Sequence, residues 1–195
     1  MNREQIHYRR KWRTVRSETL LKDLWIDLRA DHCVTQKGRE ISPCYVMSYP
    51  DWVHVVGITE SNRLVLIRQY RHAAGEFFLE LPGGVVDPND ISLEHAARRE
   101  FAEETGFTAR GWEMFTSLYP NPATHTNRVH FLLALDAVRD RPQSLDVGED
   151  GLAVELVDIP EVLDGLSSGV LGQAMHVSGL LLGLAAAGRL TLTTA

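Results

Sequence analysis

Short runs of alternating or β-rich residues dominate the first half of the chain. The segments WIDLRADHCVT and CYVMSY, separated by the turn-like QKGRE, predict a small antiparallel sheet within residues 1–50. Two further runs, WVHVVGIT and RLVLIRQYR, flank Glu60-Ser61-Asn62, which is a typical hairpin connection. The pattern therefore predicts an N-terminal β extension, residues 1–50, followed by a main domain, residues 51–195.

The hydrophobic period changes to that of a helix after Ser92. Leu93, Ala97 and Phe101 recur at four-residue spacing and are expected to face a core. Ser92 is a suitable N-cap and Gly106 a suitable C-cap, so the helix is predicted between them.

The second half of the chain alternates between strand and helix patterns. EMFTSLYP, RVHFLLALDAV and LAVELVDI predict strands, and residues 160–166 and 171–187 predict two final helices. Strands on both sides of a central helix, with helices last, predict an α/β (α+β) fold in which a mixed sheet lies between helices.

Composition favours a compact enzyme over other classes. With 195 residues, 44% of them hydrophobic, the chain can bury a sizeable core, and a net charge of −6 argues against a duplex nucleic-acid partner. Cys33 and Cys44 could pair in principle, but two cysteines form neither a disulfide framework nor a zinc motif. The apolar stretch 180–187 is too short to span a bilayer. We therefore expect a cytoplasmic protein with no membrane partner.

Three carboxylates are predicted to lie together on the central helix. Glu100 and Glu104 follow one stripe beside the core-facing residues, with Glu103 adjacent. Their repulsion would be relieved by a hard divalent cation, of which Mg²⁺ fits best and Mn²⁺ is possible. Upstream, Pro82-Gly83-Gly84 lets the backbone approach a ligand closely, and the Gly83 backbone is a further candidate metal ligand. The alternative is a solvated acidic helix face.

The whole segment resembles the signature of the Nudix hydrolase superfamily. That signature is Gly, five residues, Glu, seven residues, Arg-Glu, an apolar residue, any residue, Glu-Glu, any residue, Gly, apolar. Counting from Gly84 places its first Glu on Asp90, and counting back from Arg99 places it on Ile91, so the loop carries one extra residue. Asp90 is the candidate substitute. The matching residues are Gly84, Arg99, Glu100, Phe101, Glu103, Glu104, Gly106 and Phe107.

The resemblance implies a fold and a metal-dependent activity. The expected fold is the Nudix α/β/α sandwich over residues 51–195, with the small antiparallel sheet of residues 1–50 appended. Glu100, Glu103 and Glu104 are implied as catalytic and metal-binding residues.

A second segment, VLIRQYRHAAGEFFLELPGG, is similar to the ADP-ribose pyrophosphatase branch of this superfamily. The resemblance implies that Arg71, and with it Arg68, binds substrate phosphate, and that Gly84 approaches the substrate. Arginine suits this role because its planar fork binds phosphate oxygens in a bidentate manner. Glu80 is a candidate for the metal shell, or alternatively the ion-pair partner of Arg71.

The same branch implies a homodimer. Its N-terminal extension commonly forms the dimer interface, so that the adenosine end of the substrate lies in a pocket built by both chains. Trp25, Trp52 and Tyr70 are candidates for stacking on the base, although each is also a plausible core or interface residue.

Two loops supply further candidates, the first for substrate binding and the second for catalysis. His125 and Arg128 lie in the loop after the helix, where this chain lacks the acidic residue common in the branch. In the loop LDVGEDG, Glu149 is the first candidate to activate water and Asp150 the second, with solvated loop acids as the alternative.

Three functions are consistent with these residues. The first is Mg²⁺-dependent hydrolysis of ADP-ribose or another ADP-sugar, giving AMP and a sugar phosphate. The second is hydrolysis of another diphosphate, such as a dinucleotide, a coenzyme or a GDP-sugar, and the third is nucleotide sensing without catalysis.

Overall fold

The computed structural model describes residues 11–191 and divides them into two compact units. Residues 11–49 and 119–127 form one unit, and residues 50–118 and 128–191 form the other. The sequence did not indicate that the segment 119–127 belongs with the N-terminal unit. Residues 1–10 of the expected extension and residues 192–195 lie outside the described part of the chain.

The N-terminal unit contains an antiparallel sheet in the order β1-β2-β3, which confirms the small sheet expected there. The edge strand β1 is exposed along its whole length. The segment 119–127 is hydrogen bonded to Met47, whose N–H donates to the Thr124 carbonyl at 2.8 Å and whose carbonyl accepts from Thr126 at 3.1 Å. The strands are β1 (Arg13–Lys22), β2 (Asp27–Val34) and β3 (Glu40–Met47).

The larger unit is built on a mixed sheet in the order β11-β5-β4-β10-β8. β4 and β10 run parallel, whereas the other strand pairs recorded in this sheet are antiparallel. β6 extends the sheet from β5, β7 from β4 and β9 from β10. The strands are β4 (Trp52–Thr59), β5 (Arg63–Arg71), β6 (Glu76–Glu80), β7 (Gly83–Val85), β8 (Phe107–Thr108), β9 (Gly111–Leu118), β10 (Val129–Arg139) and β11 (Ala153–Asp158).

Helices cover both faces of this sheet. Successive side chains of β10 point to opposite faces, so Leu132 and Ala134 pack with α1 (Leu93–Thr105), whereas Phe131 and Leu133 pack with α2 (Ile159–Gly165) and α3 (Ala174–Ala186). The structure therefore has the α/β/α layers predicted from the sequence.

The caps of α1 are those that the sequence predicts. The Ser92 side chain accepts a hydrogen bond from the His95 N–H at 3.0 Å, and Gly106 ends the helix with φ of 72°. The last helix begins at Ala174, three residues later than predicted, because Gly172 is a poor helix former and Gln173 has an extended N-cap conformation. Over residues 11–191, none of the helices is long and apolar enough to cross a membrane.

Candidate active site

A cavity of about 260 Å³, termed the carboxylate cavity, lies where β7 meets α1. It brings together Gly83, Gly84, Arg71, Glu149 and the three helix glutamates. Five further lining residues were not predicted from the sequence as part of a site, namely Gln69, Val85, Arg99, Ser144 and Asp146. The lining residues from the predicted set are Arg71, Gly83, Gly84, Glu100, Glu103, Glu104 and Glu149.

Two glycines place the backbone directly against the carboxylates. The Gly83 N–H donates to Glu104 Oε2 at 2.7 Å, and a Cβ at Gly83, whose φ is 150°, would overlap the Val53 carbonyl oxygen. A Cβ at Gly84 would lie 2.7 Å from the Glu100 carboxylate. The glycines therefore permit a contact between loop and helix that larger residues would prevent.

Arg99 connects the loop to the helix. Its Nη1 donates to Glu100 Oε1 at 2.9 Å and to Glu103 Oε2 at 3.1 Å, and its Nη2 donates to the Val85 carbonyl at 3.1 Å. The same guanidinium binds Asp90 through Nη2 at 2.9 Å and Nε at 3.2 Å. One cation therefore holds three carboxylates and the carbonyl of Val85, the last residue of β7.

Asp90 occupies the position of the departure from the family signature. Besides Arg99, its carboxylate contacts His95 Nδ1 at 2.7 Å and accepts the Asp87 N–H at 2.8 Å. These hydrogen bonds, above all that from Arg99, hold the pKa of Asp90 well below its ordinary value. Ile91, the other residue at this position of the signature, is 88% exposed and is not a partner in these hydrogen bonds. Asp90, the candidate substitute for the first Glu of the signature, is thus bound to Arg99.

The pKa values of Glu100 and Glu104 are shifted in the opposite direction. Burial raises the pKa of Glu100 to about 7, although Arg99 lowers it, and Glu103 and Glu149 add to the rise. Burial also raises the pKa of Glu104 well above its ordinary value, and the nearby Glu100 and Glu149 contribute in the same direction. The negative charge in this cavity is therefore incompletely compensated by the protein.

The oxygen donors fit a hard divalent cation, but they are not preassembled around one. Within residues 11–191, no three His, Cys, Asp or Glu side chains are grouped closely enough to hold a metal ion. The three glutamates line one cavity, as predicted from the helix, and their oxygens are held by Arg99 and the Gly83 N–H. Carboxylate oxygens are nevertheless the donors that Mg²⁺ and Mn²⁺ prefer.

Arg71 lines this cavity and is held in place by Glu80. Its Nε donates to both oxygens of Glu80, at 3.1 and 3.2 Å, and Glu80 is only 1% exposed. Glu80 is therefore the ion-pair partner of Arg71, which was the second of its two interpretations. The Arg71 side chain remains 45% exposed and available to an anion.

Several predicted residues are not among those that line the carboxylate cavity. Arg68 forms a bidentate ion pair with Glu155, since alternation along β5 points it away from Gln69 and Arg71. Arg128 donates to the Ser117 carbonyl at 3.1 Å. Asp150 is exposed beside Glu149, and His125 belongs to the N-terminal unit, where its ring meets Tyr49 at 5.1 Å.

A second cavity, termed the histidine cavity, has a volume of about 320 Å³ and shares Arg71, Gly83, Gly84 and Val85 with the first. Its other lining residues are Trp52, His54, Gln173, Met175 and His176. The sequence analysis did not single out His54 or His176. The signal was a histidine within each of two otherwise apolar segments, the strand WVHVVGIT and the helix AMHVSGLLLGLAA.

The two histidines of this cavity are buried and uncharged. Their ring centroids lie 4.5 Å apart, and burial lowers the pKa of His176 to about 3 and that of His54 well below its ordinary value. The Leu81 N–H donates to His176 Nδ1 at 3.1 Å. His176 Nε2 and His54 Nδ1 are buried without a hydrogen-bond partner in the structure.

The remaining aromatic and cysteine candidates are spread over both units. Trp25 is 83% exposed, and Tyr70 packs beside Phe77 with ring centroids 5.4 Å apart. Cys33 and Cys44 are both free thiols. Of the three stacking candidates, Trp52 is the one that lines a cavity described here.

Two known domain families match this chain, and together they cover most of its length. Residues 49–171 match the NUDIX domain, and residues 12–47 match the nucleoside diphosphate sugar hydrolase N-terminal domain. The chain is 28% identical over 151 residues to the ADP-ribose pyrophosphatase of Bacillus subtilis, covering 77% of each protein. It is 25% identical over 150 residues to the methanol dehydrogenase activator of Bacillus methanolicus, again covering 77% of each.

The fold is also that of a solved structure. A crystal structure of an ADP compounds hydrolase superposes with a TM-score of 0.81 at 23% sequence identity, covering 93% of this chain and 98% of the other. The agreement in fold extends over nearly the whole length of both chains.

Proposed function

Because the chain belongs to the Nudix hydrolase family, we propose that it hydrolyses the diphosphate linkage of a nucleoside diphosphate sugar, ADP-ribose or another ADP-sugar, to AMP and a sugar phosphate. The observation that carries this proposal is the carboxylate cavity, whose lining combines Glu100, Glu103 and Glu104 with the phosphate-binding candidate Arg71. The choice of an ADP-sugar is supported by the match of residues 12–47 and by the Bacillus subtilis relative.

Glu100, Glu103, Glu104 and the Gly83 backbone would hold Mg²⁺, with Mn²⁺ as the alternative. When bound, the ion supplies charge neutralisation for the diphosphate oxygens and a means to orient water. Arg71 adds a positive charge, and its hydrogen bonds to Glu80 fix the position of the guanidinium. Glu80 is thus a positioning residue for the phosphate-binding group.

Glu149 is the proposed proton acceptor for the attacking water. It lies in a 3₁₀ turn, Val147–Glu149, and lines the carboxylate cavity. Its Oε2 accepts the Asp146 N–H at 2.9 Å, which leaves Oε1 for a water molecule. Water then adds across the linkage, so that one new P–O bond forms as the bridging P–O bond breaks. The adjacent Gly148 and Gly151 would allow the loop to close over substrate.

We also propose that the protein is a homodimer formed through β1. All ten residues of this edge strand are exposed, and Val15, Leu20 and Leu21 are about half exposed on it. Within residues 11–191 β1 pairs on one side only, with β2, and an exposed edge strand that carries apolar side chains is a preferred surface for association. Light scattering after size-exclusion chromatography is expected to give twice the monomer mass, and Leu20→Lys with Leu21→Lys is expected to give the monomer.

A panel of nucleoside diphosphate derivatives tests the proposed activity. The panel contains ADP-ribose, another ADP-sugar, a GDP-sugar, a dinucleotide and coenzyme A, each assayed with Mg²⁺ and with EDTA for nucleotide and phosphate products. We expect AMP and a sugar phosphate from the ADP-sugars in Mg²⁺ only. Faster release from a dinucleotide, a coenzyme or a GDP-sugar would assign the second function, and binding without any product would assign a sensor.

A further inference from the structure

The histidine cavity adjoins the carboxylate cavity but lacks its negative charge. Both share the wall formed by Arg71 and residues 83–85, whereas the lining residues that belong to the histidine cavity alone are uncharged. A phosphate group bound by Arg71 therefore has space on the other side of this wall. The group that follows the phosphate along the substrate would enter that space.

The buried histidines offer hydrogen-bonding groups that the protein leaves unused. Since His176 Nδ1 accepts the Leu81 N–H, the neutral ring carries its proton on Nε2, which has no partner. The closest recorded acceptor is Glu80 Oε2 at 3.8 Å, which is beyond hydrogen-bond distance. His54 Nδ1 is also unpartnered, and His54 and His176 are 5% and 1% exposed. Unpaired polar atoms at such depth are costly, and a ligand that pairs with them relieves the cost.

The chemistry of the cavity selects a hydroxylated ring. A hydroxyl both donates and accepts, so neighbouring hydroxyls match an imidazole N–H, an unprotonated ring nitrogen and the amide of Gln173. Trp52 and Met175 supply apolar surface for the carbon face of such a ring. An adenine ring would instead favour aromatic surface on both of its faces, whereas Trp52 is the one large aromatic side chain in this lining.

We infer that the histidine cavity binds the sugar ring attached to the phosphate remote from adenosine, with His176 and Gln173 as the groups that determine sugar specificity. This inference rests on the proposed function, since it concerns the substrate of the same site. His176 is held by α3 and by the Leu81 N–H, and Gln173 lies at the exposed rim of the cavity.

The test compares two substrates that differ only in the sugar. ADP-ribose and the β-methyl ester of ADP both release AMP, so the ratio of their kcat/KM values reports the contribution of the sugar. Met175→Trp fills the cavity and is expected to lower the ratio of ADP-ribose to methyl ester by about 10-fold or more. Gln173→Ala, at an exposed position, is expected to lower it by about 5-fold through one lost hydrogen bond.

Met114→Trp is the matched control, because Met114 is 53% exposed on β9 and lies outside the cavity. Its substrate ratio is expected to equal that of the wild type. An unchanged ratio in Met175→Trp and Gln173→Ala, or an equal loss on both substrates, contradicts the inference alone. If Met175→Trp does not fold, Gln173→Ala decides. Failure of the wild type to release AMP from either compound contradicts the proposed function, and the inference with it.

Discussion

The loop before α1 and the last two turns of α1 both bury carboxylates, but they balance the charge differently. The Asp90 side chain is 2% exposed, and Glu104 as a whole residue is also 2% exposed. Arg99, His95 and the Asp87 N–H surround Asp90 and lower its pKa, whereas burial beside Glu100 and Glu149 raises the pKa of Glu104. The opposite pKa shifts separate a carboxylate that holds the loop from one whose charge still requires a cation.

The largest expected effect is the loss of catalysis when Glu104, in the last turns of α1, loses its charge. Glu104→Gln keeps an acceptor for the Gly83 N–H and creates no cavity, yet it removes an anionic metal ligand. Activity with Mg²⁺ is expected to fall about 100-fold while unfolding without metal is unchanged or requires more denaturant. Glu94→Gln, in an exposed ion pair with Arg98, is the control and should retain activity. Undiminished turnover of Glu104→Gln would refute the assignment of this residue.

Asp90→Asn tests the carboxylate of the loop before α1, whose charge is paired with Arg99. It removes the charge that faces Arg99, so the free energy of unfolding is expected to fall by about 2 kcal/mol in urea denaturation near neutral pH. Because the folded-state pKa is lowered, this contribution is present above the ordinary value of 3.8 and is lost as the pH falls through the folded-state value. The exposed pair Asp140–Arg141 supplies a control, Asp140→Asn, which is expected to change the free energy of unfolding far less, because solvent screens this pair. Equal costs for the two variants would contradict the anchoring role of Asp90.

Gly84→Ala tests the contact between loop and helix. The added Cβ would lie 2.7 Å from the Glu100 carboxylate and displace it, so kcat/KM is expected to fall about 10-fold. Gly111→Ala places its Cβ at an ordinary 3.4 Å from Leu135 and is expected to be nearly silent. Steady-state kinetics on both variants measures the difference, and matching values would show that the close approach at Gly84 has no functional part.

The smallest effect expected is the pH dependence of stabilisation by Mg²⁺. A rise in the pKa of Glu100 from 4.5 to about 7 means that the folded state binds more protons, so the protein without metal loses stability as pH rises through this interval. Mg²⁺ should restore it, raising Tm by about 5 °C at pH 8 and by less than about 2 °C at pH 5.5, as measured by calorimetry. A larger shift at pH 5.5 would contradict the raised pKa.

Local sequence patterns predicted the helix and its carboxylates well. The caps at Ser92 and Gly106, and the spacing of Glu100 and Glu104, depend on residues close in the chain, so periodicity was sufficient to place them. Alternation along β5 also places Arg68 and Arg71 on opposite faces of the sheet, so local periodicity is sufficient to separate this pair.

Other features depend on contacts between distant segments. His54 and His176 come together only when α3 packs on β4, and the segment 119–127 joins the N-terminal unit through hydrogen bonds to Met47. The raised pKa values likewise result from burial by distant residues. A pattern read over a few residues carries no information on such contacts.

The most direct test of the central claim is a titration with Mn²⁺ followed by electron paramagnetic resonance. The free ion gives the signal, so the loss of this signal measures how much Mn²⁺ the protein binds. The account predicts that the wild type and Asp140→Asn bind Mn²⁺ with similar affinity and that Mg²⁺ competes. Glu104→Gln is expected to bind at least about 10-fold more weakly. Equal Mn²⁺ binding by the wild type and Glu104→Gln would contradict a cation site at the end of α1.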